Sequence, residues 1–257
     1  MGATNVLMRK ILSYILTPLH LFAFGLTLAV FHPLQWLAFN LGGYTPHKVV
    51  VDYMNFFLIK SLIFLGINPK FELNQELPEG RPLIVVANHQ SLYDIPPFFW
   101  YLRKHHIKFI SKIELGKGIP SISYNLRHGG NVLIDRKDPK QSLTAIRDFA
   151  KYIEKNKYAA VIFPEGTRSK TGAPKKFSSN GLKMLLKYAP SSIILPVTIN
   201  NTWKLFTKGS YLMPVGIKLS WKAHPYLEPE GRNADELIRE IEILITKEIE
   251  TEKTVVS

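Results

Sequence analysis

The chain has 257 residues, of which 46% are hydrophobic and 21% charged, a composition that supports a sizeable buried core and argues against disorder. It contains no cysteine, which excludes a disulfide framework and a thiolate metal site. The formal net charge of +13 is concentrated in residues 81–225, which carry 24 basic and seven acidic side chains, and such a surface suits nucleic acid, an anionic membrane or phosphorylated substrates.

The first predicted element is an apolar helical region near the N-terminus. Residues 11–41 contain no Asp, Glu, Lys or Arg, and this stretch exceeds the roughly 20 residues that cross a bilayer. Arg9 and Lys10 precede it, as expected for a cytoplasmic N-terminus. A buried core helix can have the same composition, but the length favours membrane contact. The sequence therefore argues against nucleic acid as the partner of the basic segment.

A second apolar stretch follows at residues 49–66. Pro33 is predicted to interrupt the first stretch, and the glycine pair at 42–43 to end it. Asp52 and Lys60, within the second stretch, would be costly at the bilayer centre. Two arrangements stay open: two helices that dip into one leaflet, or a spanning helix followed by an interfacial helix.

Further along the chain, short apolar runs alternate with longer amphipathic runs. The predicted strands are 83–87, 108–110, 131–134, 159–163, 193–199 and 215–221. The predicted helices are 92–105, 139–156, 181–188 and 234–251. This order predicts an α/β fold with a mixed central sheet flanked by helices. The chain is thus expected to comprise an N-terminal hydrophobic, membrane-binding helical segment, residues 1–70, and an α/β domain, residues 71–257.

His89 and Asp94 follow the first predicted strand of the domain, and they are the candidate catalytic pair. A loop that leaves the carboxyl end of a strand and opens a helix is where α/β sheets bind ligands. Histidine acts as a base near neutral pH when a carboxylate on its other ring nitrogen fixes the tautomer. A loop and one helical turn can bring the two side chains together. The alternative is a helix-capping histidine beside a solvated aspartate.

A candidate anion site follows the strand predicted at 159–163. Gly166 lets the backbone approach a ligand, and the Arg168 guanidinium can grip a phosphate with two hydrogen bonds. Thr167 adds a hydroxyl group, and Glu165 can accept a hydrogen bond from a glycerol hydroxyl.

Two further cations, Lys112 and Arg136, stand at the ends of other predicted strands. With Arg168 they can converge on one anion, if the strands end at the same edge of the sheet. The alternative is a set of surface ion pairs, Lys112 with Glu114 and Arg136 with Asp135 or Asp138.

Four segments of the chain resemble the motif blocks of 1-acylglycerol-3-phosphate acyltransferases and their glycerolipid relatives, and they occur in the order found in that family. The segments are 88–94, 130–136, 163–169 and 194–199, and the third, Phe-Pro-Glu-Gly-Thr-Arg-Ser, is the most specific. Lys112 stands where many members have a basic residue between the first two blocks. The resemblance extends from about residue 81 to about residue 200, and the apolar N-terminal region suits the bacterial members.

The resemblance implies transfer of an acyl chain from acyl carrier protein or coenzyme A to the free hydroxyl of 1-acyl-glycerol-3-phosphate. The product is phosphatidate, a phospholipid precursor. The expected catalytic residues are His89 and Asp94, and the backbone N–H groups near Gly166 are expected to stabilise the oxyanion. The residues expected to bind substrate are Lys112, Arg136, Glu165, Gly166, Thr167 and Arg168.

The expected partners are lysophosphatidate, acyl-CoA or acyl-acyl carrier protein, and membrane lipids, without nucleic acid. No cofactor and no metal are expected, because no His, Asp and Glu cluster has the spacing of a ligand set. The expected location is the membrane, at the cytoplasmic face of the inner membrane if the organism is bacterial.

The sequence departs from the family pattern at two points. Many members have Phe-Lys-Lys-Gly after the third block, whereas residues 177–181 read Phe-Ser-Ser-Asn-Gly, and two asparagines at 200–201 replace a small residue after the fourth block. Donor and acceptor preference therefore stay open. The alternatives are an acyltransferase for another lysophospholipid or an amino-lipid, a non-catalytic membrane-surface protein that binds anionic lipids, and a metal-free hydrolase that uses the same histidine.

Overall fold

The computed structural model describes residues 3–206 and 211–251 of the chain. Its strands are β1 (Lys70–Glu72), β2 (Leu83–Ala87), β3 (Ile107–Lys112), β4 (Val132–Ile134), β5 (Ala159–Ile162), β6 (Ile193–Asn200) and β7 (Ser220–Ala223). Its α-helices are α1 (Ala3–Gly42), α2 (Tyr44–Lys60), α3 (Ile95–Tyr101), α4 (Ile122–His128), α5 (Pro139–Asn156), α6 (Ser179–Tyr188) and α7 (Ala234–Lys247).

The strands form one sheet in the order β1-β7-β6-β2-β5-β3-β4. The five strands from β6 to β4 run parallel, while β7 pairs antiparallel with β6 and β1 pairs parallel with β7. The prediction of a mixed sheet flanked by helices is therefore confirmed. The five parallel strands all end at one edge of the sheet, which we call the carboxyl edge.

The sheet is covered by helices on both faces. Alternate residues of β2 enter different cores: Leu83 and Val85 pack with α2 and α3, whereas Ile84 and Val86 pack with α5, α6 and α7. Because both faces are covered, β2 is a continuous apolar run without polar residues at alternate positions. The resulting rigid core holds the loops at the carboxyl edge.

The N-terminal helix α1 runs without interruption through Pro18 and Pro33. The prediction that Pro33 breaks this region is wrong. A proline removes one hydrogen bond from a helix and costs about 3 kcal/mol, which the packing of the surrounding turns offsets. Leu28 and Gln35, on either side of Pro33, are both buried. The helix does end at the predicted glycine pair, where Gly43 has a φ of 72°.

Both N-terminal helices share a core with the sheet. Leu28 of α1 and Val51, Met54 and Leu58 of α2 belong to the same cluster of buried side chains as β2. The proposed boundary at residue 70 coincides with the start of β1 and stays a prediction. The helices before that boundary form one layer of the fold.

The predicted helix 92–105 is divided in the structure. A 3₁₀ turn spans Leu92–Asp94, α3 follows, and a second 3₁₀ turn spans Arg103–His105. Pro96 and Pro97 carry no N–H group, so they cannot donate to the carbonyl groups of the first turn. The first turn therefore does not continue as one α-helix with α3.

Other elements also differ from the prediction. The apolar run 215–221 is a strand only from Ser220, where its pairing with β6 begins, and Gly216, with a φ of 70°, lies in the bend before it. The short elements β1 and α4 were not predicted; α4 is a seven-residue helix between segments rich in glycine. The last helix ends at Lys247, four residues before the predicted end.

Candidate active site

The side chains of His89 and Asp94 contact each other directly. His89 Nδ1 lies 2.8 Å from Asp94 Oδ2, with the imidazole side chain 15% exposed and the carboxylate 0% exposed. Because a carboxylate accepts hydrogen bonds, Nδ1 carries the proton and Nε2 remains free to act as a base. This is the arrangement that a general base requires.

Asp94 is held by its own loop and by two distant segments. Its Oδ2 accepts hydrogen bonds from the backbone N–H groups of Gln90 at 2.6 Å and Ser91 at 2.9 Å. Its Oδ1 accepts one from the Thr202 hydroxyl at 2.5 Å, and the Trp221 indole donates to its backbone carbonyl at 3.3 Å. A solvated aspartate is thereby excluded. The helix-capping role belongs to Ser91, whose hydroxyl accepts from a backbone N–H.

Three residues of the third block fix the other side of His89. The imidazole stacks on the Phe163 ring, with the ring centroids 4.1 Å apart and the planes 12° from parallel. The backbone N–H of His89 donates to Glu165 Oε1 at 3.2 Å, and the backbone N–H of Ser169 donates to the His89 carbonyl at 2.7 Å. The loop of residues 88–94, which we call the catalytic loop because it carries the candidate pair, and the third block therefore form one unit.

Glu165 presents an unused acceptor beside this unit. Burial raises the pKa of its carboxyl to about 7, while the backbone N–H groups of His89 and Lys175 oppose that rise. Its Oε2 is buried and has no hydrogen-bond partner among the described residues. A substrate hydroxyl is a suitable partner for such an oxygen.

The turn at Gly166 determines which of the N–H groups near it are free. With a φ of 69°, Gly166 turns the chain so that its N–H donates to the Phe163 carbonyl at 3.0 Å. The N–H groups of Thr167 and Arg168 have no acceptor within the described part of the chain. They are therefore the donors that remain available. Lys175 fixes this turn, because its ammonium donates to the Thr167 hydroxyl at 2.7 Å and to the Arg168 carbonyl at 2.9 Å.

The three predicted cations lie along the carboxyl edge. Lys112 is the last residue of β3, Arg136 lies two residues beyond β4, and Arg168 lies in the loop after β5. Adjacent strands are about 4.8 Å apart, so β2 and β4 are separated by about 14 Å. Arg168 follows β5, which is the strand next to β2, and is therefore close to His89. Arg136 follows the more distant β4, so its side chain must extend towards His89. All three side chains are exposed at the sheet edge that carries His89.

The surface ion pairs considered for these cations do not form. In the described ranges, neither Lys112 nor Arg136 lies within ion-pair distance of a carboxylate. Asp135 instead accepts from the backbone N–H of the residue two positions on, and Asp138 caps α5 by accepting from a backbone N–H. Both aspartates thus stabilise the chain turn at the start of α5, and the two cations remain available to an anion.

Comparison with known proteins agrees with this geometry. Residues 68–200 match the family model described as acyltransferase, which is more than half of the chain. The chain belongs to the acyltransferase family. The resemblance predicted from the four blocks is confirmed.

Several members of the family are similar to this acyltransferase. The 1-acyl-sn-glycerol-3-phosphate acyltransferase of Helicobacter pylori is 36% identical over 126 residues, which are 48% of this chain and 50% of the relative. That of Borreliella burgdorferi is 29% identical over 199 residues, which are 75% and 76% of the two chains. The chain thus matches about half the length of the first relative and about three quarters of the second.

A solved structure extends the likeness to the N-terminal helices. The crystal structure of the 1-acyl-sn-glycerophosphate (LPA) acyltransferase PlsC from Thermotoga maritima superposes with a TM-score of 0.76 at 27% identity. The superposition covers 93% of this chain and 95% of that chain. The coverage includes most of the N-terminal helical layer together with the sheet, which confirms the predicted fold class.

The sequence did not identify every residue that builds the site. Thr202 and Trp221 hold Asp94 from positions more than 100 residues away, and no local pattern indicates either contact. Phe163 and Ser169 lie within the third block, so the motif contained them but gave no sign of their contacts with His89.

Proposed function

We propose that this acyltransferase transfers an acyl chain from a thioester of acyl carrier protein or coenzyme A to 1-acyl-glycerol-3-phosphate, forming phosphatidate. The observation that carries the proposal is the contact of 2.8 Å between His89 Nδ1 and the buried Asp94. It lies at the same sheet edge as Lys112, Arg136 and Arg168. The names of the relatives support the choice of acceptor.

In the proposed reaction, His89 Nε2 removes the proton from the free glycerol hydroxyl as its oxygen attacks the thioester carbonyl carbon. The N–H groups of Thr167 and Arg168 stabilise the resulting oxyanion. Collapse of the tetrahedral intermediate breaks the carbon–sulfur bond, and the imidazolium returns its proton to the departing thiolate. Asp94 stabilises the imidazolium while it exists.

Acceptor binding is assigned to the phosphate and to the one free hydroxyl of 1-acyl-glycerol-3-phosphate. Arg168, Lys112 and Arg136 bind the phosphate, and the unpartnered Oε2 of Glu165 accepts a hydrogen bond from that hydroxyl as the acceptor enters. The hydroxyl then turns its proton from Glu165 to His89 Nε2, which removes it in the reaction. The phosphate contacts hold the reacting oxygen near both groups.

The test is product analysis with purified protein, lysophosphatidate and either acyl-CoA or acyl-acyl carrier protein. We expect phosphatidate, formed only when acceptor and donor are both present. Free fatty acid released without acceptor would indicate a hydrolase, and vesicle binding without turnover of any thioester would indicate a lipid-binding protein. If a different lysolipid were acylated and lysophosphatidate were not, that lysolipid would be the acceptor instead of lysophosphatidate.

Removing the Arg168 side chain is expected to weaken acceptor binding. Loss of one charge-assisted phosphate contact corresponds to about 2 kcal/mol, so KM for lysophosphatidate in Arg168→Ala should rise about 10- to 100-fold. KM for the thioester should change little. Steady-state kinetics with each substrate varied in turn measure both constants. The matched control is Lys176→Ala, an exposed cation of the same loop. Equal acceptor KM in the two variants would remove Arg168 from the phosphate site.

We also infer that the N-terminal helices lie in one leaflet of the membrane, at the cytoplasmic face of the inner membrane if the organism is bacterial. Residues Leu7–Gly42 of α1 contain an 18-residue window with a mean hydropathy of 1.8 and are long enough to span a bilayer. However, α1 is bound to the α/β domain along its length: Thr17 contacts Met213, and His32 contacts Ser121. These contacts are about 22 Å apart along the helix axis. A crossing helix would carry the polar domain into the hydrocarbon core, which favours the in-plane arrangement.

The opposite face of α1 supplies the apolar contact surface. Ile15 and Phe22 are each 66% exposed. We expect the double variant Ile15→Glu, Phe22→Glu to lose most of its binding to anionic vesicles, since each substitution removes an apolar contact and adds a charge. Vesicle flotation measures this binding. Ile243→Glu is the control, because Ile243 is 57% exposed on α7, on the other face of the sheet. Undiminished flotation of the double variant would contradict the assignment.

A further inference from the structure

One turn of α1 carries two buried polar side chains that face the α/β domain. Thr17 and His20 are fully buried, although many of their neighbours on the helix are exposed apolar residues. The Thr17 hydroxyl accepts a hydrogen bond from the Met213 N–H at 2.9 Å. A buried histidine in such a helix has to find partners for both ring nitrogens.

His20 finds these partners in two different segments. Its Nδ1 lies 2.9 Å from the Ser61 carbonyl oxygen, which can only accept, so Nδ1 carries the proton. Its Nε2 lies 2.5 Å from the hydroxyl of Tyr93 and must therefore be the acceptor. The phenol donates to His20, and the tautomer of His20 is fixed by the Ser61 carbonyl.

Tyr93 belongs to the catalytic loop, directly before Asp94. It is 3% exposed, and its backbone N–H donates to the Ser91 hydroxyl at 3.1 Å. Its ring lies against Phe24 of α1, with the ring centroids 5.6 Å apart. The loop is thus anchored from two directions. Thr202 and Trp221, described above, hold Asp94 from the sheet side, and α1 holds Tyr93 from the opposite layer.

We propose that His20 is a positioning residue for the His89–Asp94 pair, acting through Tyr93. The hydrogen bond fixes the turn that contains Asp94 relative to α1, the helix whose outer face carries the apolar surface. The orientation of the catalytic carboxylate therefore depends on where α1 is seated. The inference rests on the proposed function only for the role of the loop in catalysis, because the contact itself is independent of the substrate.

The experiment removes each partner of the hydrogen bond and measures the loop directly. Tyr93→Phe keeps the ring and deletes the hydroxyl, and His20→Leu deletes the acceptor. Hydrogen exchange detected by mass spectrometry reports the N–H groups of Gln90 and Ser91, which donate to Asp94. We expect exchange in the peptide that contains them to become about tenfold faster in each variant. The double variant should be no faster than His20→Leu alone, because the hydrogen bond to Tyr93 is already lost in that variant.

Activity provides the second readout. A displaced carboxylate impairs the base without affecting the phosphate site, so kcat should fall about tenfold while KM for lysophosphatidate is unchanged. His20→Gln offers an amide oxygen to the phenol and should recover part of the loss. The control is Gln35→Leu, because Gln35 is a buried polar residue of the same helix that contacts Met54 of α2 and not the catalytic loop.

Two results would overturn the proposal. One is unchanged loop exchange and unchanged kcat in Tyr93→Phe. The other is faster exchange throughout the chain, to the same extent in Gln35→Leu, which would make the effect a general loosening of α1. Should His20→Leu fail to fold, Tyr93→Phe and His20→Gln still decide the question. If the wild type acylates no lysophosphatidate, the proposed acceptor fails, whereas the exchange data still test the His20–Tyr93 coupling.

Discussion

His89→Ala is expected to reduce kcat for acyl transfer by at least about 10³-fold, the usual contribution of a general base that forms part of a catalytic unit. Asp94 cannot replace the missing base, because the buried carboxylate is already occupied by the N–H groups of Gln90 and Ser91 and by the Thr202 hydroxyl. The same three donors keep the loop folded without the imidazole. The variant should therefore remain folded and bound to membranes.

The measurement is kcat of the purified variant, with thermal unfolding and vesicle flotation as checks on the fold and on membrane binding. His105→Gln is the matched control, since His105 lies in the 3₁₀ turn that precedes β3, at the end of that strand opposite the carboxyl edge. Wild-type turnover by His89→Ala would sink the mechanism, whatever the product of the wild-type reaction.

Elements with local signals at both ends could be predicted from the sequence. Helix α5 begins and ends where predicted, because Asp138 caps its first turn, Pro139 opens it, and Lys157 ends it with a φ of 56°. Strand β2 likewise matches its predicted bounds, as a continuous apolar run between Pro82 and Asn88. In such segments, capping, turn chemistry and hydrophobic pattern all favour the same bounds.

Elements whose limits depend on distant contacts could not be predicted. The continuity of α1 through Pro33 depends on packing against the domain, and the late start of β7 depends on its pairing with β6. The same holds within the site. The spacing of His89 and Asp94 predicted their contact, but the hydroxyl that holds the carboxylate comes from Thr202, 108 positions further along the chain.

The two departures from the family pattern have structural explanations. Lys175, which precedes the position where many members have lysines, fixes the Thr167–Arg168 turn from within the same loop. Asn200 holds the segment after α7, because its amide group donates to the Glu248 carbonyl at 2.9 Å and accepts from the Glu250 N–H at 2.8 Å. The Asn201 amide donates to the Glu250 carboxylate at 2.7 Å, so both asparagines secure this segment.

Asp94→Asn is expected to be almost as damaging as His89→Ala, and for two reasons that can be measured separately. A neutral amide no longer stabilises the imidazolium, which should lower kcat about 10³- to 10⁴-fold. The amide oxygen has to take the place of Oδ2, which accepts from the N–H groups of Gln90 and Ser91. The NH₂ group then takes the place of Oδ1 and donates to the Thr202 hydroxyl, which can accept as well as donate.

Because the N–H groups of Gln90 and Ser91 then donate to a neutral oxygen instead of a charged one, the free energy of unfolding should fall by about 1–3 kcal/mol. Chemical denaturation measures that loss, and kcat measures the first effect. Asp138→Asn is the matched control: Asp138 is an exposed cap of α5, where asparagine caps a helix about as well. It should keep kcat and change stability by less than about 1 kcal/mol. If Asp94→Asn were as stable as the wild type and kept kcat within about tenfold of it, the carboxylate would not orient the base.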